Sequence, residues 1–151
     1  MEGESGGRPE AARPISVHVP LRWRDVDVLG HMYHGRYHEL LDEARAAVFT
    51  AMTGPLGFPF VLARVELDHR REVRRADGAL DVHSLVRSIG TSSVHIDHEF
   101  VLPGGEVAAR GLSVMVAWDR ERRTKRRVTP DERRLLTQPE VVGHASLNGR
   151  S

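Results

Sequence analysis

The 151-residue sequence contains no cysteine. That excludes a disulfide scaffold, a cysteine nucleophile and any thiolate metal site. Aromatic residues are scarce: four Phe, two Tyr and two Trp, too few for a platform on which nucleic-acid bases stack. Neither sign of charge dominates, because 22 Lys and Arg face 21 Asp and Glu for a net charge of +1. The chain therefore lacks the global field of a nucleic-acid protein. No apolar run approaches the roughly 20 residues of a membrane span. The opening MEGESGGRPEAARP has neither the basic start nor the greasy stretch of a secretory signal. The expectation is a cytoplasmic protein of one domain, since this length can bury about 70% of the unfolded surface in a single core.

The hydrophobic period changes twice along the chain. Residues 1–14 and 137–151 show none and are expected to be flexible tails around a domain at 15–136. Ile15, Val17, Val19, Leu21 and Trp23 alternate, as in a strand with one buried side. Residues 24–36 break the pattern and read as a loop. From Tyr37 the spacing turns helical: Tyr37, Leu40, Leu41, Ala44, Val48 and Met52 form one apolar stripe, and Thr53-Gly54-Pro55 is a stop signal. A helix over 37–53 measures about 26 Å. No Ser, Thr, Asp or Asn at 35 or 36 caps its start, so its first amides are open to another acceptor. Beyond it everything reads as strand: 61–70, then 80–89 after the hairpin signal Asp77-Gly78, then 94–102 and 107–118, with turns at Gly90-Thr91-Ser92 and Pro103-Gly104-Gly105. One strand, one long helix, then four antiparallel strands is an α+β order in which the helix must lie on the sheet.

The loop before the helix carries the chemistry. Asp25 and Asp27 stand two apart, so they share a direction only if the strand continues; a bend would turn one inward. His34 follows seven residues after Asp27. A carboxylate, a titratable imidazole and uncapped helix amides are the three parts acyl transfer needs: a base or nucleophile, a proton carrier, and donors for a developing oxyanion. The same residues also suit a simpler arrangement in which the aspartates cap a turn and His34 is a surface side chain.

The motif formed by Trp23, Asp25, Asp27, Gly30, Tyr33-His34, Gly35, Tyr37 and Glu43-Ala44-Arg45 resembles the signature of the hot-dog-fold acyl-CoA thioesterases, nearest the branch of 4-hydroxybenzoyl-CoA thioesterase. The likeness in element order runs over about residues 15–130. It implies an α+β hot-dog fold, a long helix wrapped by an antiparallel sheet of about five strands. It implies hydrolysis of an acyl thioester, with acyl-CoA or acyl carrier protein as the substrate. No cofactor is implied beyond the coenzyme A moiety of that substrate. Carried over position by position, Asp27 is the catalytic carboxylate, Tyr33 and His34 fall on the family's Tyr-His pair, and the amides of His34, Gly35 and Arg36 are the oxyanion donors. Gly35, without a Cβ, would admit a substrate close to the backbone. Substrate contacts are expected at Arg36, Arg87, Thr91 and Ser92. The last two replace a basic run that touches nucleotide phosphates in the family, so Arg64, Arg70, Arg71 or the cluster at 120–127 are alternative phosphate contacts. Glu43 is a second-choice acid, beside Glu39 on the same helix face; both also suit pairing with Arg36 or Arg45. Family pockets lie between subunits, so a homodimer or homotetramer is expected. Histidine is abundant but shows no metal-binding motif, and no metal is expected. A non-catalytic acyl-thioester binding domain would use the same pocket. The whole reading needs Asp27 and the helix's first amides to face one cavity.

Overall fold

The computed structural model describes residues 14–53 and 59–137. Most of both expected tails, the Gly54-Pro55 stop signal and Phe58 lie outside the described residues. The elements are β1 (Ile15–Pro20), α1 (His34–Thr53), β2 (Phe60–His69), β3 (Ala79–Ile89), β4 (Ser93–Val101), β5 (Val107–Asp119), β6 (Thr124–Lys125) and α2 (Pro130–Thr137). The sheet runs β1-β3-β4-β5-β2, antiparallel throughout, with the short β6 paired to β5. α1 lies across it, giving the α+β hot-dog architecture expected from the sequence.

The apolar stripe of α1 explains the docking. Tyr37, Leu40, Leu41, Ala44 and Val48 are all buried, and Ala47 and Phe49 join them. They meet the inward residues of β3 (Leu80, Val82) and β4 (Val94, Ile96, Phe100), where every second position is buried along β4 and from Leu80 to Ser84 in β3. A polar seam crosses this core. His98 Nδ1 lies 2.6 Å from Ser84 Oγ and its Nε2 2.9 Å from Ser113 Oγ. Arg45 of α1 donates to Ser113 Oγ at 3.0 Å and also pairs with Asp42. All four members of the seam, His98, Ser84, Ser113 and Arg45, are buried, and these bonds key α1 to a fixed position over the sheet. Burial first, then the nearby Arg45 charge, pushes the His98 pKa down to about 4.

Four sequence expectations need correcting. The first strand stops at Pro20, and the chain turns through a short 3-10 segment at Trp23–Asp25; Trp23 is consequently 78% exposed instead of sharing the buried side of β1. The helix starts three residues earlier than its stripe, at His34, because helical backbone can precede the first residue that packs. Asp77-Gly78 does not close a hairpin between β2 and β3, which are not neighbours. It ends a 3-10 turn in which Asp77 Oδ2 accepts the Arg74 N–H at 2.7 Å and Gly78 takes φ +79°, a conformation that favours glycine. Finally, α2 has no counterpart in the periodicity, although Thr129-Pro130-Asp131-Glu132 is a capping box with proline at the first helical position. Thr129 Oγ1 accepts the Glu132 N–H at 3.1 Å and Glu132 Oε1 accepts the Thr129 N–H at 2.9 Å.

The basic stretch at 120–127 is exposed apart from Arg126, which is half-buried. Arg126 grips Glu132 with both terminal nitrogens, at 2.7 and 2.9 Å, donates to Pro59 O at 3.2 Å and lies over the Phe60 ring at 5.5 Å. It ties α2 to the start of β2.

Candidate active site

The 3-10 bend decides what the two aspartates do. Asp25 turns inward and is 2% exposed. Its Oδ2 accepts the Arg22 N–H at 2.7 Å, and its Oδ1 lies 3.1 Å from Arg36 Nε, an ion pair without hydrogen-bond geometry. Arg36, buried in the first turn of α1, thereby fixes the helix start against the loop. Between them the loop doubles back as a miniature ladder. Tyr33 donates to Asp25 O at 3.1 Å, Val26 bridges Met32, and Asp27 donates to His31 O at 2.8 Å. Met32 N–H reaches Val73 O at 2.7 Å, which fastens the ladder to the segment after β2.

Asp27 sits at the outer end of this ladder and is exposed. Its Oδ1 accepts the N–H groups of Leu29 at 2.9 Å and His31 at 3.2 Å, an Asx-type turn. Its Oδ2 has no partner among the described residues. One chain thus does not enclose Asp27. Val28 and Leu29 beside it are exposed apolar side chains.

At the helix start, His34 and Gly35 are exposed, and their amides have no acceptor among the described residues. The Arg36 amide is already bonded to Tyr33 O at 3.0 Å, which removes it from the three expected oxyanion donors and leaves two. Gly35 has a second reason to be glycine: a Cβ there would stand 2.7 Å from Tyr33 Cε2, so the Tyr33 ring occupies the space. The Tyr33 hydroxyl donates to Glu39 Oε1 at 3.0 Å, and Arg36 Nη1 donates to Glu39 Oε2 at 3.0 Å. The bond to Glu39 raises the Tyr33 pKa, while the bonds from Arg36 and Tyr33 lower that of Glu39. Glu43, the second-choice acid, is exposed with Oε1 3.9 Å from the same Arg36 Nη1. Glu39 and Glu43 therefore attend Arg36, one of the pairings the sequence allowed, and Arg45 instead serves Asp42 and Ser113.

The expected substrate contacts do not gather around Asp27 within one chain. Arg36 is committed to Asp25 and Glu39. Ala79, at the start of β3, pairs with Pro20 near the aspartate loop, whereas Ile89 leads into the turn of Thr91 and Ser92. An 11-residue strand separates these ends, roughly 35 Å at the usual rise. Thr91 O and Ser92 O accept from Val128 at 2.9 Å and Ala117 at 2.8 Å, so the turn holds the segment leading to α2. Arg87, near the same end, donates to Asp97 at 2.8 Å, which raises its pKa. Among the alternative cations, Arg64 pairs with Glu66, and Arg71 with Glu106 at 2.6 Å and Asp77 at 3.4 Å. Arg70 is exposed and its side chain has no partner among the described residues. It directly follows His69, whose ring lies 5.5 Å from that of His34. Sequence reasoning placed His69 only as a strand histidine; nothing local told that β2 would end against the helix start. Among the described residues no three His, Asp or Glu side chains form a group able to hold a metal ion.

Comparison with known proteins bears on the family and the fold. A family model described as the thioesterase-like superfamily matches residues 21–144. A thioesterase from Thermus thermophilus, solved with coenzyme A and Zn, is 27% identical, with 85% of this chain and 96% of that chain covered and a TM-score of 0.75. A predicted thioesterase from Bacillus stearothermophilus is 24% identical over 82% of this chain and 93% of that one, with a TM-score of 0.74. A 1,4-dihydroxy-2-naphthoyl-CoA thioesterase from Synechocystis shares 15% identity over 82% and 95% of the two chains, with a TM-score of 0.71. These last two likenesses speak for the fold. No curated protein matches the sequence.

Proposed function

The chain belongs to the thioesterase-like superfamily, and on that premise we propose that it is an acyl-CoA thioesterase whose catalytic carboxylate is Asp27. The observation that carries the reading is the division of labour at the loop. Asp25 is spent on Arg36, while Asp27 keeps Oδ2 unpartnered among the described residues, on the loop that leads into a helix whose first two amides have no acceptor there. The thioester carbonyl oxygen is placed against the amides of His34 and Gly35, one such donor being worth roughly 3–4 kcal/mol of barrier. Asp27 takes a proton from a water that attacks the carbonyl carbon, or attacks that carbon itself to form an acyl-aspartyl anhydride that a water then hydrolyses. In either route the C–S bond breaks, the thiolate leaves with its electron pair and takes up a proton, and one water is consumed to leave a carboxylic acid. His34, beside the same amides, orients water or substrate. No cofactor is needed beyond the coenzyme A portion of the substrate. Arg70, an exposed cation beside His69, supplies a contact for its phosphates, and the structure of the Thermus thermophilus thioesterase with coenzyme A supports this choice of thiol carrier over acyl carrier protein.

The pocket is closed by a second copy of the chain. β2 is an edge strand with a register shift between Leu62 and Arg64, and both Val61 (39%) and Leu62 (44%) are exposed. An apolar edge with unpaired backbone groups is a template for another strand. A homodimer formed there, or a tetramer of two such dimers, adds partner surface to the helix start through the end of the same strand. No described helix is long and apolar enough to cross a membrane, and we place the reaction in the cytoplasm.

Asp27's exposure and the turn bonds of its Oδ1 favour one rival, a non-catalytic acyl-thioester binding domain. A thiol-release assay over short, long and aromatic acyl-CoAs separates the two. Asp27→Asn is expected to lower kcat by about 100-fold or more while folding normally. Wild-type turnover in that variant removes Asp27 from the chemistry, and binding of acyl-CoA without thiol release by the parent protein establishes the rival.

A further inference from the structure

Four rings run from the core to the surface at the start of α1. Phe100, fully buried on β4, lies 5.2 Å from the ring of Tyr37. Tyr37 lies 4.7 Å from His69, edge-on at 86°. His69 in turn meets His34 at 5.5 Å, again edge-on at 78°. Tyr37 is buried, which pushes its pKa up to about 12, so it stays a neutral ring. His69 comes from the last position of β2 and reaches across to a helix that shares no backbone pairing with that strand. Burial first, then the neighbouring charges of His34 and His38, lower its pKa, and a neutral imidazole packs against Tyr37 without a charge to solvate.

We infer that His69 is a positioning residue that holds the His34 ring in place through edge-to-face contact, with Tyr37 and Phe100 as its rigid backing. His34 is exposed and makes no hydrogen bond through its ring among the described residues; the contact with His69 is what restricts its rotation. Edge-on stacking is the arrangement in which one ring's positive edge meets another's negative face, so it sets an orientation as well as a distance. Because β2 is also the exposed sheet edge, a strand added there would stiffen the residue that aims His34, linking assembly to the site. The inference rests on the proposed role of His34 in thioester hydrolysis.

The test compares kcat and KM of His34→Ala, His38→Ala, His69→Ala and His69→Phe on an acyl-CoA the parent protein hydrolyses, with melting curves and the NMR signal of the His34 ring in each full-length variant. His69→Ala is expected to lower kcat about tenfold, in the range by which small misplacements slow catalysis, with KM within about twofold. His69→Phe keeps a ring and should restore kcat to within about threefold of the parent. The His34 ring signal should move in His69→Ala and stay near its place in His69→Phe. A parental kcat in His69→Ala while His34→Ala is impaired overturns the inference and leaves the proposed function intact. An equal loss of kcat in His38→Ala, which removes a neighbouring charge but no ring contact, overturns it as well. Parental turnover in His34→Ala removes the role of His34 itself. Should His69→Ala not fold, an unmoved His34 signal in His69→Gln overturns it.

Discussion

Asp25 and Asp27 are two positions apart, and the difference between them comes from the backbone that separates them. Asp25 closes a 3-10 turn and the chain then runs extended through Val26, so one carboxylate meets a buried guanidinium and the other is exposed. Removing a partner from a buried pair leaves an uncompensated charge, a loss of several kcal/mol; Arg36 retains Glu39. Asp25→Ala should therefore destabilise the fold by about 3 kcal/mol, a fall in melting temperature of roughly 6–12 °C for a domain of this size. Asp27→Asn, by contrast, should barely move the melting curve while sharply lowering thiol release. Similar melting of the two variants would contradict the assignment of Asp25 to structure and Asp27 to chemistry. His98 gives a pH signature. It stays neutral in the folded chain down to about pH 4 but protonates near 6.5 when unfolded. In between, the unfolded state binds the extra proton. The stability is full above pH 6.5 and declines by about 3 kcal/mol as the pH falls to 4. Urea titrations across that window should show the decline, and His98→Gln should flatten it.

At the level of elements, capping and edge chemistry govern what attaches to the sheet. α2 has eight residues, too few to be stable alone. It depends on the Thr129–Glu132 box, on Leu136 in the core and on the grip of Arg126 on Glu132. Thr129→Ala should cost about 1 kcal/mol, seen as a small drop in the denaturation midpoint with earlier hydrogen exchange in 130–137 than elsewhere; uniform exchange would mean that α2 is not a separate unit. The alternation of β3 and β4 and the stripe of α1 were legible in the sequence because burial on one face writes its period into the residues. The sheet order was not. β2 and β3 are consecutive in the chain, yet β5 lies between β4 and β2, and a turn signal such as Asp77-Gly78 reports only that the chain bends, not which strands it joins.

For the whole molecule, the proposed second copy would cover both the exposed apolar edge at Val61 and Leu62 and the open surroundings of Asp27. Leu62→Arg should convert the proposed dimer to monomers in sedimentation analysis and lower thiol release by at least about tenfold, since a pocket open to water loses its preorganised field. Full activity in a demonstrated monomer would place the site within one chain.

The sequence alone determined the class of fold, the loop that matters and the residue types in it, because periodicity and motif spacing are local properties of the chain. Tertiary structure decided which aspartate is free, that Arg36 is tied to Asp25 and not open to substrate, and that Thr91 and Ser92 sit a strand's length from Asp27 in the same chain. It also brought His69 against His34. Each of those outcomes depends on how a backbone bends and which strands pair across long separations, and no single residue or its neighbours encodes that.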